Sequence, residues 1–112
     1  FYTPVIIANN TFLAEEPETA RAFLDAVSRG YEFAIEHPQE AGEILCKAAP
    51  ELDPDLVKAS QEYLADKYQA DAPQWGYIDQ ERWDAYYAWL NEKGLTETPI
   101  EAGTGCSNEY QP

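Results

Sequence analysis

The sequence predicts a mainly α chain of about four helices preceded by one N-terminal strand. Three observations carry that expectation. Apolar residues recur at three-and-four spacing over four stretches, each opened or closed by a capping residue or a proline. A single β-branched run, Val5-Ile6-Ile7-Ala8, stands before them. No second run of that kind follows, so the strand has no partner within these residues.

Tyr2-Thr3-Pro4-Val5-Ile6-Ile7-Ala8 closes on Asn9-Asn10 and has the composition of a strand buried on both faces. Pairing should begin after Pro4, which has no N–H to give a ladder. One or two helical turns are expected over residues 11–15, capped by Asn10 or Thr11, with Phe12 and Leu13 inward. The longest helix spans residues 17–37. Its core face holds Ala20, Phe23, Leu24, Val27, Tyr31, Ala34 and Ile35, with Glu18, Arg21, Asp25, Ser28, Arg29, Glu32 and Glu36 opposite. Pro17 suits a first helical position, and Pro38 disfavours helix at His37. The helix should run unbroken, with Phe23, Leu24, Val27 and Tyr31 buried. Gly30 in its interior costs about 1 kcal/mol relative to alanine, and a close backbone crossing is the preferred reason for it.

Ala41, Ile44, Leu45 and Ala48 form a second stripe that ends before Pro50. Asp53-Pro54 pairs a capping residue with a proline at the first helical position and opens a third helix through Leu56, Val57, Ser60, Tyr63 and Leu64, toward Tyr68. Residues 69–78, with Pro73 and Gly76, read as irregular. Asp79 then caps a fourth helix with Trp83, Tyr86, Tyr87 and Leu90 on one face, stopped by Gly94, with Leu95 as the apolar contact of that ending. Residues 95–112 form a turn-rich tail with one helical turn near 107–110.

A length of 112 residues bounds the chain to one domain at most, and its start at Phe1 in an apolar run points to a piece of a longer protein. Seven basic against 21 acidic residues leave a net charge of −14, which repels phosphate backbones and anionic membranes and excludes nucleic acid as a partner. Fifteen aromatic residues argue against disorder. No apolar run approaches the roughly 20 residues of a membrane span.

Catalytic chemistry finds no set of residues to carry it. His37, the single histidine, reads as a helix-end or solvent residue, and the acidic pairs as helix N-terminal charge and solvated faces. No phosphate loop, serine elbow or metal-ligand spacing occurs, so neither metal nor cofactor is expected and the chain is read as no enzyme. Cys46 and Cys106 frame no metal site. If the protein is exported a disulfide between them is available, yet Cys46 reads rather as a small residue buried beside its helical stripe. Trp75 and Tyr77, aromatic residues on a loop, form either a stacking wall for a planar ligand or a lid over the helices, and the lid is preferred.

The series YTPVIIANNTFLAEEPETARAFLDAVSRGYEFAIEHPQEAGEIL, APELDPDLVKASQEYL, APQWGYIDQERWDAYYAWL and SNEY resembles the C-terminal portion of ABC-transporter solute-binding proteins, in the group that takes thiamine pyrimidine precursors and alkylsulfonates. The resemblance implies a fold of periplasmic binding protein type II, two α/β lobes joined by hinge strands with ligand between them. Residues 1–112 would be the C-terminal part of one lobe, with a hinge or return strand over 1–8, helices over 11–94 and an irregular tail over 95–112. Phe1, Tyr2 and Thr3 match the hinge-adjacent stretch and face the cleft, while Trp75 and Tyr77 match a Trp-Gly segment whose role is mainly packing. The implied protein is extracytoplasmic, periplasmic or a cell-surface lipoprotein. It would work with the missing N-terminal part of the same protein, a membrane permease and a small-molecule ligand. The alternatives are a pyrimidine-synthase-like enzyme of thiamine biosynthesis on the same scaffold, and a helical interaction module. On its own the piece is expected to bind no metabolite, and to self-associate through residues 2–8 or cover them with its own helices or tail.

Overall fold

A computed structural model describes Tyr2 and residues 4–112. The order is α1 (Asn10–Glu15), α2 (Pro17–Glu36), α3 (Pro38–Ala48), α4 (Pro54–Leu64) and α5 (Gln80–Glu92), followed by a tail in turns. The strand expected at the N-terminus is not there. Among the described residues none is in a strand; residues 5–8 lie outside regular structure, and Val5, Ile6 and Ile7 are 43%, 52% and 87% exposed. A β-branched run suits a pleated, half-buried surface but cannot supply one. A ladder needs the donors and acceptors of a neighbour, and the described chain has no second strand to offer them.

The helices form where the caps and prolines direct. Asn9 accepts from the Thr11 N–H at 2.8 Å and so caps α1, one position before the residues expected to do so. Pro17 and Pro38 occupy first-turn positions of α2 and α3, and His37 is the joint between them. Asp53 Oδ1 receives the N–H groups of Asp55 and Leu56 at 2.9 and 3.1 Å, which satisfies two orphan donors of α4. Tyr68 lies beyond that helix and donates to Gln61 Oε1 at 3.2 Å. At the end of α5, Leu95 N–H returns to the Leu90 carbonyl and Gly94 N–H to that of Asn91, with Gly94 at φ +63°. That is the Schellman ending, although Leu95 itself stays 61% exposed.

Packing proceeds helix by helix from α1 through α2 and α3 to α4, and the α3–α4 pair is the most intimate. Gly42 of α3 and Val57 of α4 are both buried; a Cβ on Gly42 would touch Val57 Cγ1 at 3.5 Å. Across the same pair Gln39 donates to Glu62 at 3.1 Å. The radius of gyration, 17.2 Å, exceeds the roughly 13 Å of a compact domain this size, so the helices are laid out as an open layer.

Helix α2 runs unbroken through Gly30, yet its burial differs from the expected stripe. Ala20 and Ser28 are buried, Leu24, Val27 and Tyr31 are half-buried, and Phe23 is 56% exposed. At 100° per residue Phe23 falls on a flank with Ala22, Ala26, Gly30 and Phe33, all exposed. The apolar arc of α2 is wider than its neighbours cover. Ser28, read as outward, lies at the edge of the covered face and reaches Glu32 at 3.4 Å. The close crossing expected at Gly30 is absent, since a Cβ there meets nothing within 4 Å. Gly30→Ala should therefore stabilise this chain by roughly 0.5–1 kcal/mol through helix propensity alone. A lower melting temperature on heating, followed by circular dichroism, would contradict this.

Candidate functional site

Two aromatic groups organise the surface that carries Tyr2, Trp75 and Tyr77. In the first, Trp75 of the connecting loop stacks on Tyr31 of α2, centroids 4.2 Å apart and planes 17° from parallel. Tyr68 meets Tyr31 edge-on at 5.1 Å. Such pairs contribute beyond the area they bury. Beside them Val27, Gly30, Tyr31, Ala34 and Tyr68 line an open groove of about 360 Å³. One face of Trp75 is thus occupied by Tyr31. Tyr77, two residues on, is 39% exposed.

The second group surrounds Tyr2. Its hydroxyl accepts the N–H of Asp79, the capping residue of α5, at 3.0 Å. Arg82 lies over its ring at 4.8 Å, and Trp83 stacks at 6.4 Å with Tyr87 edge-on behind it. The first turn of α5 therefore grips the N-terminal segment through one cation–π contact and one hydrogen bond. Phe1 and Thr3, expected beside Tyr2 at a cleft, lie outside the described residues. Sequence reasoning missed Arg82 and read Trp83 only as part of a helix face, because Tyr2 is 77 positions from Asp79 and no local pattern announces the meeting.

The tail supplies the other unforeseen residues. Asn108 donates to the Ile78 carbonyl at 2.7 Å and accepts the Ile78 N–H at 2.9 Å, and Gln111 donates to the Gly76 carbonyl at 2.8 Å. The Ser-Asn-Glu-Tyr motif was the one available signal, and it gives no destination. Gly105, at φ +81°, passes so close to Tyr87 that a Cβ would clash with the phenol oxygen. Only glycine fits that crossing.

Cys46, on α3, and Cys106, in the tail, are both free thiols. Burial pushes the Cys106 thiol up, and the Asp84 carboxylate adds to this against the opposing hydrogen bond to Gln80. Less thiolate is then present at a given pH, and the thiolate is the nucleophile. Iodoacetamide at pH 8 should alkylate Cys106 more slowly in the folded chain than in urea, with the gap closing as pH rises. Equal rates in both states, read by peptide mass spectrometry, would count against this. No group of three or more His, Cys, Asp or Glu side chains among the described residues could hold a metal ion. No helix among them is long and apolar enough to cross a membrane.

Comparison with known proteins adds what the geometry leaves open. The family described as NMT1/THI5 like matches residues 1–41. Over 108 residues the chain is 29% identical to a formylaminopyrimidine-binding protein of Halalkalibacterium halodurans, covering 93% of this chain and 33% of the relative. It is 24% identical over 117 residues to the riboflavin-binding protein RibY of Chloroflexus aurantiacus, covering 96% and 32%. A 4-amino-5-hydroxymethyl-2-methylpyrimidine phosphate synthase of Candida albicans is 36% identical over 56 residues, 50% of this chain and 16% of the enzyme. The chain spans about a third of the length of the two binding proteins it matches. The two matches that cover nearly all of this chain are thus both to proteins named as binding a small molecule, a formylaminopyrimidine in one and riboflavin in the other.

Proposed function

We propose that this chain is the C-terminal part of the substrate-binding component of an ABC importer for a small heteroaromatic metabolite such as a thiamine pyrimidine precursor. The observation that carries the reading is coverage. The two binding proteins match 93% and 96% of this chain, whereas the two synthases match 50% and 39%. That coverage supports a binding role; a thiamine pyrimidine precursor as ligand, a membrane permease as partner and an extracytoplasmic, lipoprotein location complete the reading. The mechanism is closure of two lobes on a ligand with differential affinity for the closed arrangement. In this reading Phe1, Tyr2 and Thr3 face the cleft, and Tyr2 is the one of them held on α5. Trp75 and Tyr77 serve mainly as packing.

The partner of first importance is the rest of the same polypeptide. Two features support it: the uncovered apolar arc of α2, with Phe23 and Phe33, and the exposed Val5, Ile6 and Ile7. Apolar surface of that extent on a small chain marks an interaction face. A second copy is the competing occupant, and sedimentation of the isolated chain would reveal it.

Calorimetry tests the reading. A polypeptide joining this chain to the two thirds that its relatives carry in addition should bind a formylaminopyrimidine, a riboflavin or an alkylsulfonate saturably, and residues 1–112 alone should bind none of them. Saturable micromolar binding by the 112-residue chain alone would refute it. Formation of a pyrimidine phosphate by the longer polypeptide would transfer the chain to the synthase reading, which the shorter matches favour.

A further inference from the structure

The last third of the chain is tied into a unit of its own. Helix packing runs from α1 to α4, and α5 has at most a marginal share in it. With 13 residues, α5 is near the length at which an isolated helix is only marginal in water. Its support comes from the tail, which runs back along it from end to start. Near the C-terminal end the Asn91 side chain donates to the Ile100 carbonyl at 2.8 Å and accepts its N–H at 2.9 Å. One helical stretch earlier Asp84 accepts the Gly103 N–H at 2.9 Å, and at the start Cys106 reaches Gln80 at 3.4 Å. The tail then passes α5 and closes on the loop before it, where Asn108 holds both backbone groups of Ile78 and Gln111 holds the Gly76 carbonyl. Loop, helix and tail make a closed ring.

Among the described residues, two places tie this ring to α2. Trp75 stacks on Tyr31, and Arg21 donates to the Glu109 carbonyl while lying over the Tyr110 ring at 5.3 Å. We propose that residues 74–112 open from α2 and close on it as one unit, with Arg21 as the latch and the side chains of Asn108 and Gln111 keeping the loop, α5 and tail together. Because α5 also holds Tyr2, the N-terminal segment moves with the unit as it opens.

Hydrogen exchange read by mass spectrometry on the 112-residue chain tests it. The amides of α5, the preceding loop and the tail should share one opening, exchanging at least about tenfold faster than those of α3 and α4. Arg21→Ala removes a hydrogen bond and a cation–π contact, and should accelerate the whole of residues 74–112 by about tenfold again, leaving α3 and α4 unchanged. Wild-type exchange of α5 at the rate of α3 and α4 would overturn the proposal, because the unit would then not open separately. So would an Arg21→Ala effect confined to residues 109–112, since the tail would then be fraying alone. The wild-type measurement decides the first point even where a variant fails to fold.

Discussion

Trp75→Ala is expected to lower stability by about 2–3 kcal/mol, and the melting temperature by roughly 10 °C or more. The indole is half-buried and stacked on Tyr31 at 4.2 Å, so the loss lies below the 3–5 kcal/mol of a fully buried tryptophan. About 1 kcal/mol of it belongs to the ring pair itself. A double-mutant cycle with Tyr31→Ala isolates that part. Tyr31→Phe should cost little, because the stack and the edge contact with Tyr68 need the ring rather than its hydroxyl. A thermal scan in which Trp75→Ala melts within 2 °C of the parent chain would mean that the loop rests on α2 without holding it. Near-complete loss of helical signal at room temperature would mean that the loop is integral to the whole layer.

The helices were legible because their signals are local. Asp53 before Pro54, Asp79 before α5 and Gly94 after it each act within four residues of themselves, and each does in the structure what its chemistry dictates. The strand was illegible for the opposite reason. Whether Val5, Ile6 and Ile7 pair is decided by residues that must come from elsewhere, and composition says only that they would suit a sheet. Phe23 belongs between these cases. Periodicity identified α2 as apolar over a wide arc, but which part of the arc a neighbour covers depends on where α1 and α3 cross, and they leave Phe23 bare.

The site was less legible than the fold. Trp75 stood out because a large aromatic on a loop is conspicuous, and the structure seats it on Tyr31, 44 positions earlier. Arg82 and Gln111 carry no local signal, Trp83 reads only as part of a helix face and Asn108 only as part of a short motif, and their contacts with Tyr2, Ile78 and Gly76 span 30 or more residues. Side chains that bind a distant backbone leave no periodicity. An acidic surface likewise reveals which partners are repelled, not which are held.

At Gly42 the size of the replacement should reverse the sign of the effect. This glycine is buried in α3 where that helix meets α4, and an added Cβ would sit 3.5 Å from Val57 Cγ1 and 3.7 Å from Gln61 Cγ. Those are ordinary contact distances, so Gly42→Ala fits without movement and gains up to about 1 kcal/mol of helix propensity. Gly42→Leu adds three further carbons into a space already closed by Val57, itself only 8% exposed. Either the leucine leaves its preferred rotamer or the helices part, and overpacking of this kind costs about 1–3 kcal/mol. The upper end is expected here, because α3 and α4 are the most intimate pair and few other side chains among the described residues are buried enough to share the strain. Urea titrations of the two variants should bracket the parent midpoint, with alanine above and leucine well below. Destabilisation by both would show that α3 and α4 lie closer than these distances. Neutrality of both would show that the pair contributes little to the stability of the chain.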